Sequence, residues 1–238
     1  MNDLLRSVVT DWLRRAYNAT IRNHLPRKIG YYNGVAVRAP RLFDFTDHIP
    51  DYKAEQMDCI AAAVEAGDTV VNVGGGYGVS TVVAARRVGP SGRVATFEPA
   101  EEVLGPLRET AEINDVADRV ELRHAAVGSP SHPKGSIEGA ETLPPSALPE
   151  CDVLILDCDG AEAEIVPRLE IRPRDLVIES HPRYGVDTGA LLSVLSSMEY
   201  EFPDRYFDGT GGTHHFLATR TPEKYSEECT AGRDRPSG

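Results

Sequence analysis

Apolar and polar positions follow two periodicities along this chain. From residue 69 onward, short runs rich in Val, Ile and Leu occur at 69–73, 93–97, 120–123, 153–157 and 175–179. Between them, at 79–88, 101–113 and 162–169, apolar residues recur at three- and four-residue spacing. Runs of the first kind are strands buried on both faces. The interleaved helices are the crossovers that parallel strands need. The pattern predicts an α/β domain built on a parallel sheet. A further helix is expected over 190–198, then closing strands at 200–202 and 214–218. Residues 128–150, rich in Gly, Pro and Ser, read as a long loop.

Upstream of this domain, Leu5, Val8, Val9, Trp12, Leu13 and Ala16 recur at helical spacing within 3–23, with Arg6, Arg14, Arg15 and Arg22 among them. Such a helix docks on the main domain or a second subunit, or rests on an anionic membrane surface; the pattern leaves both open. Pro26 ends it. Tyr31-Tyr32, a turn at Asn33-Gly34 and Val35-Ala36-Val37 predict a hairpin within 30–45. A helix over 52–66 follows and stops at Gly67. The expected organisation is a helix and hairpin extension at 1–50, a main domain at 51–220 and a polar, disordered tail at 221–238.

Charge narrows the classes of partner. The 238 residues carry 25 Lys and Arg against 37 Asp and Glu, a formal net charge of −12. A diffuse negative field of this size disfavours non-specific contact with phosphate backbones, so no nucleic-acid partner is expected. Lys28, Lys53, Lys134 and Lys224 are the only lysines. An acidic, lysine-poor surface suits a high-salt cytoplasm, and a GC-rich genome gives the same arginine bias. Cys59, Cys151, Cys158 and Cys229 form no CxxC pair and no zinc-type cluster, so reduced thiols and a cytoplasmic location are expected. No apolar run of 18 residues is present, and Met1-Asn2-Asp3 lacks the opening of a signal peptide.

The candidate chemistry begins where the strand at 69–73 ends. Asn72-Val73-Gly74-Gly75-Gly76-Tyr77-Gly78 leads from that strand directly into a helix. Glycines let a backbone turn sharply against a ligand, and the helix start offers free N–H groups. A dinucleotide-binding loop would need Gly or Ala at 79, where Val79 stands, and no Gly-Lys-Ser/Thr follows as in a P-loop. Phe97-Glu98-Pro99 closes the next strand. Glu98, 20 residues after Gly78, is placed to accept hydrogen bonds from both hydroxyls of a ribose.

These features resemble the FkbM family of class I methyltransferases. That family shows a D-V-G-A-x-x-G loop, an F-E-P strand end and a later I-D-V-E-G-A-E segment. Here the third piece is Leu156-Asp157-Cys158-Asp159-Gly160-Ala161-Glu162, joined by Ala126-Val127-Gly128 and Val177-Ile178-Glu179-Ser180-His181-Pro182. The similarity runs over residues 52–218. It implies a Rossmann-like, seven-stranded, mostly parallel sheet with the last strand antiparallel. It also implies S-adenosylmethionine as methyl donor. Cofactor contacts are implied at Asn72, Val73, Gly74, Gly76, Tyr77, Gly78, Glu98, Pro99, Ala125, Ala126 and Asp157, with Ala125 and Ala126 near the adenine. The family usually carries Asp or Glu where Asn72 stands, to meet the cofactor's ammonium. An amide accepts one hydrogen bond without charge, a loss of about 1 kcal/mol.

Asp157, Glu179 and His181 are the candidate catalytic groups, all at carboxyl ends of strands, where open α/β sheets bind ligands. A base at this edge would take the proton of an acceptor hydroxyl, whereas a carboxylate acceptor needs only orientation. Each also has a structural reading: Asp157 as a helix cap, Glu162 as a first-turn helix acid, His181 as a turn former before Pro182. His214 and His215 read as packing residues of the last strand. Asp157 and Asp159 could hold a divalent cation, but no third ligand has convincing spacing, so no metal is expected. The resemblance implies O-methylation, often of sugars, glycolipids or other metabolites, so the expected acceptor is a hydroxyl or carboxyl on a sugar, a glycan (lipid-linked or uronic-acid-containing) or a small metabolite. Acid-rich sugars fit if the crevice presents Arg183 or Arg205. A nucleic-acid methyltransferase and a cofactor-binding module without catalysis are the alternatives. The first lacks an N/D-P-P-[YFW] motif, and the second is favoured by Asn72. A homo-oligomer is compatible with all three.

Overall fold

A computed structural model describes residues 20–44, 47–129, 135–202, 206–208 and 212–220. Most of the expected helix at 3–23, the tail at 221–238 and Arg205 lie outside the described residues.

The hairpin forms as the sequence predicts. Strands β1 (Gly30–Tyr32) and β2 (Val35–Val37) pair antiparallel around Asn33-Gly34. Both turn residues have positive φ, +48° and +72°, the geometry that matches hairpin twist. A short strand the sequence does not announce, β3 (His48–Ile49), adds in parallel to β1.

The main sheet comprises β4 (Thr69–Val73), β5 (Arg93–Glu98), β6 (Val120–Val127), β7 (Glu141–Leu143), β8 (Val153–Leu156), β9 (Asp175–Ser180), β10 (Tyr200–Glu201), β11 (Tyr206–Asp208) and β12 (His214–Arg220). Its order is β10-β12-β9-β8-β4-β5-β6-β7, with β11 also paired to β12. The six strands from β9 to β7 are parallel, and β12 pairs antiparallel with all three of its partners, β9, β10 and β11. The expectation of a Rossmann-like, mostly parallel sheet closed by antiparallel pairing holds, with nine strands among the described residues in place of seven. One addition is β7, inside the segment expected to be a loop. It forms because Gly128 donates its N–H to the Leu143 carbonyl and the ladder continues along β6.

Helix α1 (Ala54–Ala63) precedes β4, α2 (Val79–Val88) links β4 to β5, and α3 (Glu101–Ile113) links β5 to β6. Helix α4 (Glu162–Ile165) is shorter than the expected 162–169 and passes into a 3-10 turn, Val166–Arg168, where Pro167 has no N–H to extend the α ladder. Helix α5 (Thr188–Ser197) begins with the Asp187 side chain accepting from the N–H of Ala190. Among the described residues, no helix is long and apolar enough to cross a membrane.

Alternation along the central strands divides the core. Val70 and Ile155 join one buried cluster; Val71, Leu154 and Leu156 join the other. The first cluster contains Tyr32, Val35 and Val37 of the hairpin together with Met57, Ile60, Val82 and Ala85, so hairpin, α1 and α2 share one interior. Chain order reverses between β4 and its neighbours β5 and β8, which opens a crevice at their carboxyl ends.

Because Val35 and Val37 are fully buried in that shared cluster, Val35→Ala and Val37→Ala should each cost about 1–3 kcal/mol. The loss is expected as a lower midpoint of one transition for the whole chain in thermal unfolding. A separate early transition of the hairpin would contradict a shared core.

Candidate active site

The glycine loop is fixed by backbone contacts. Gly74 donates to the Phe97 carbonyl at 2.9 Å, and Asp157 donates to the Val73 carbonyl at 2.9 Å. Gly74 has φ +94°, and a Cβ there would lie 1.9 Å from the Asp157 carbonyl oxygen. The loop therefore touches the end of β8 backbone to backbone, which only glycine permits. Gly76 is the opposite case: its φ is +49°, and nothing lies within 4 Å of where a Cβ would be. That position faces open space.

Beneath the loop, Asn72 is fully buried. Its Nδ2 donates to Ser80 Oγ at 3.1 Å and Thr81 Oγ1 at 3.0 Å, and Thr81 Oγ1 lies 3.1 Å from Thr96 Oγ1. The side chain ties the start of α2 to β4 and β5 and is not part of the crevice wall. Glu98 lies beside the loop. One carboxylate oxygen accepts from the Gly76 N–H at 2.8 Å and the other from the Ala100 N–H at 2.9 Å. These bonds fix the carboxylate at the crevice edge.

The crevice is walled by Val73, Gly74, Gly75, Gly76 and Tyr77 on the loop, and by Glu98, Pro99, Val103, Ala125, Ala126 and Val127 toward β5 and β6. Tyr52, Lys53, Gln56 and Met57, with Asp157, Cys158 and Asp159, close the other side. Most residues expected to contact a cofactor thus line one space. Asn72 stands behind it, and Gly78, the residue before α2, does not border it either.

Of the three candidate catalytic groups, Asp157 borders the crevice; Glu179 and His181 form a second row behind it. A residue the sequence did not single out joins them. Lys53 Nζ lies 2.5 Å from Asp157 Oδ2 and 2.5 Å from Glu179 Oε2. Lys53 sits just before α1 with φ +47°, a left-handed conformation costly for a residue with a side chain. The two ion pairs hold it there. His181 Nδ1 lies 3.0 Å from Glu162 Oε1, which also accepts the His181 N–H at 2.8 Å, while Glu162 Oε2 accepts the Gly160 N–H at 2.9 Å. Glu162 is fully buried, so it organises the turn after β8 from the inside. His181 Nε2 faces Glu179 Oε1 at 3.6 Å, Asp159 Oδ1 at 3.7 Å and Asp157 Oδ1 at 4.0 Å. Its ring stacks on Tyr184. Arg183 lies over that same Tyr184 ring and does not border the crevice.

Spacing along the sequence suggested no third cation ligand. The fold supplies two from the end of the neighbouring strand, in place of Asp159: Asp157, Glu179 and His181 each bring a potential ligand atom within 4.8 Å of the others. The Lys53 ammonium already lies against both carboxylates, so the chain provides its own counter-charge.

Burial shapes the protonation of this cluster. Burial and the charge of Asp157 push the Glu179 carboxyl up to about 7, with Lys53 drawing it back. Burial alone would lower Lys53, but Asp157 and Glu179 outweigh it and hold the ammonium charged. Burial also opposes the charged form of His181, yet the Glu162 hydrogen bond and carboxylate, with Glu179 and Asp157, raise it overall. His215, 4.0 Å from Glu179 Oε1, falls to about 4 through burial and the nearby Lys53 charge.

Comparison with known proteins agrees with this architecture. No protein-family profile matches the chain. An arsenite methyltransferase of Halobacterium salinarum is 37% identical over 67 residues, 28% of this chain and 17% of that protein. A putative rRNA-methylase of Clostridium thermocellum is similar in structure, with a TM-score of 0.51, 14% identity and coverage of 72% of this chain and 96% of that one. A SAM-dependent O-methyltransferase of Thermotoga maritima has a TM-score of 0.50 at 17% identity, covering 73% of this chain and 67% of its own. A ribosomal protein L11 methylase of Lactobacillus delbrueckii subsp. bulgaricus has a TM-score of 0.51 at 14% identity, covering 76% and 89%. The chain has the Rossmann-like methyltransferase fold.

The site geometry sets two expected outcomes. Gly74→Ala should cost about 2 kcal/mol or more, because backbone must move and φ is positive, whereas Gly76→Ala should cost only about 1 kcal/mol. Thermal unfolding measures both, and equal losses would contradict the close approach at Gly74. The second outcome concerns Lys53→Met. Glu179 rises from its ordinary 4.5 to about 7 in the folded chain, so its stabilising contribution is complete below 4.5 and is lost as pH rises through 7. Without Lys53, holding Asp157 and Glu179 ionised together becomes costlier still. The deficit in thermal stability against wild type should therefore be larger at about pH 8 than at about pH 6. A pH-independent deficit would contradict the ion pairs.

Proposed function

We propose that this chain is an S-adenosylmethionine-dependent methyltransferase, acting on a hydroxyl or carboxyl of a sugar, glycan or small metabolite. The observation that carries the reading is the crevice itself. It has an open glycine loop with Glu98 on one side and a lysine-neutralised carboxylate on the other, at the strand-order reversal of a methyltransferase fold. The residues suit the cofactor. Glu98 would accept from the ribose hydroxyls, Pro99, Ala125 and Ala126 would flank the adenine, and the space over Gly76 admits the nucleoside. The motifs resembling the FkbM family, at 72–78, 97–99 and 156–162, favour an O-linked acceptor.

When bound, S-adenosylmethionine supplies an electrophilic methyl group on its sulfonium. The chain's own task is to align an acceptor oxygen and take its proton. Of the two carboxylates that share Lys53, Asp157 borders the crevice and Glu179 lies behind it. The pair can take up one proton near neutral pH, as coupled carboxylates do. Lys53 stays protonated and orients an anionic or developing oxyanion acceptor. His181 and Glu162 act as positioning residues that hold the carboxylates in place. The net charge of −12 argues for a non-nucleic-acid acceptor.

The test is binding followed by transfer. Calorimetry should register S-adenosylhomocysteine on the wild-type chain, and Glu98→Ala should weaken it about tenfold or more through lost ribose hydrogen bonds. Methyl label from S-adenosylmethionine, offered with a cell extract, should appear in glycan or small-metabolite fractions. Label in RNA would overturn the acceptor class. Binding without any transfer would favour a module that has lost catalysis. No binding at millimolar cofactor would overturn the whole reading.

A further inference from the structure

We propose that Gln56 recognises the amino-acid end of the bound cofactor. This rests on the proposed cofactor and adds a residue from outside the glycine loop and the strand ends. Gln56 lies in the first turn of α1, is fully buried, and lines the crevice. Among the described residues, neither its Oε1 nor its Nε2 has a hydrogen-bond partner. A primary amide offers two donors and an acceptor, and burying both ends unmet is costly. A position needing only to be filled would hold an apolar side chain, as the adjacent Met57 does in the same wall. Two unmet groups on a buried side chain at a cavity wall point to a ligand that meets them.

The ligand chemistry follows from the amide and its place. An α-amino acid presents an ammonium donor beside a carboxylate acceptor, and one amide can serve both without bringing a charge. Along the crevice the sheet order sets out Ala125 and Ala126 on β6, Glu98 on β5, the loop after β4, and then Asp157 after β8. The adenosine half belongs to the first two. Helix α1 packs on α2 and β9, at the opposite end, so Gln56 enters where the amino-acid half remains. Asn72 donates its Nδ2 beneath the loop to Ser80 and Thr81, does not border the crevice and brings no charge. An amide at 56 supplies recognition that an acid at 72 would otherwise give.

The test compares two ligands that share adenosine and thioether. S-adenosylhomocysteine carries the amino-acid end; 5′-methylthioadenosine lacks it. Calorimetry on the full chain should find that Gln56→Leu binds S-adenosylhomocysteine about tenfold more weakly while 5′-methylthioadenosine changes less than about twofold. The unliganded melting midpoint should stay or rise, because an unmet polar group is replaced by an apolar one of similar size. Gln56→Met, unbranched, gives the same comparison if Leu disturbs folding. Unchanged S-adenosylhomocysteine affinity, or equal losses for both ligands, would overturn the inference while leaving the proposed cofactor intact. A wild-type chain that binds neither ligand would overturn both.

Discussion

Four carboxylates and a histidine meet at the carboxyl ends of β8 and β9, largely out of water, and one ammonium makes this tolerable. Lys53 lies against Asp157 and Glu179, both near-buried, at 2.5 Å each. Without a cation there, two ionised side chains would face one another in a poorly solvated space, and one would have to bind a proton. The cation comes from the residue before α1, more than 100 positions upstream of either partner. The N-terminal part of the domain is thereby tied to the ends of two central strands. The left-handed backbone at Lys53 is the local cost of that tie.

The second constraint is close approach of main chain. Gly74 presses on the Asp157 carbonyl, and a Cβ at Gly75 would fall 2.4 Å from Leu107 and 2.6 Å from Thr96. The loop is thus clamped between β8, β5 and α3, and the space it frees lies over Gly76. Glu98 reaches across to the Gly76 N–H, so the carboxylate at the end of β5 and the loop after β4 hold each other in place. Lys53 fixes one wall and glycine contacts fix the other, so the crevice is already shaped in the chain alone.

What was legible in the sequence was what is local. Helices Val79–Val88 and Glu101–Ile113 coincide with their apolar periodicity, and the glycine loop and Glu98 fall together because strand, turn and helix are contiguous. Residues whose roles come from distant contacts were not legible. Lys53 reads as one charge near a helix start, and Gln56 as a polar residue on a helix face; only the packing of α1 on β9 brings both to the crevice. The convergence of Asp157, Glu179 and His181 was missed as a cation-type cluster because the ligands sit on neighbouring strands, not at a recognisable spacing. Strand β7 escaped because its pairing is set by the free edge of β6 and not by its own residues. Phe216 and Leu217 on β12, by contrast, are buried on opposite faces of the sheet, as their alternation implies.

The charge arrangement suits the proposed chemistry in one further respect. Methyl transfer from a sulfonium destroys the positive charge on sulfur, so bare carboxylates beside it would stabilise the starting state more than the transition state. In this crevice Asp157, which borders it after β8, is matched by Lys53. The two amides, Asn72 and Gln56, occupy places where acids would add to the negative field. The one carboxylate on the adenosine side, Glu98, faces ribose hydroxyls in the proposed complex and not the sulfur. In the proposed complex, a site built this way would give up some electrostatic affinity for the charged cofactor. It would in return hold the positively charged donor less tightly than the neutralising transition state, the difference that accelerates such a step.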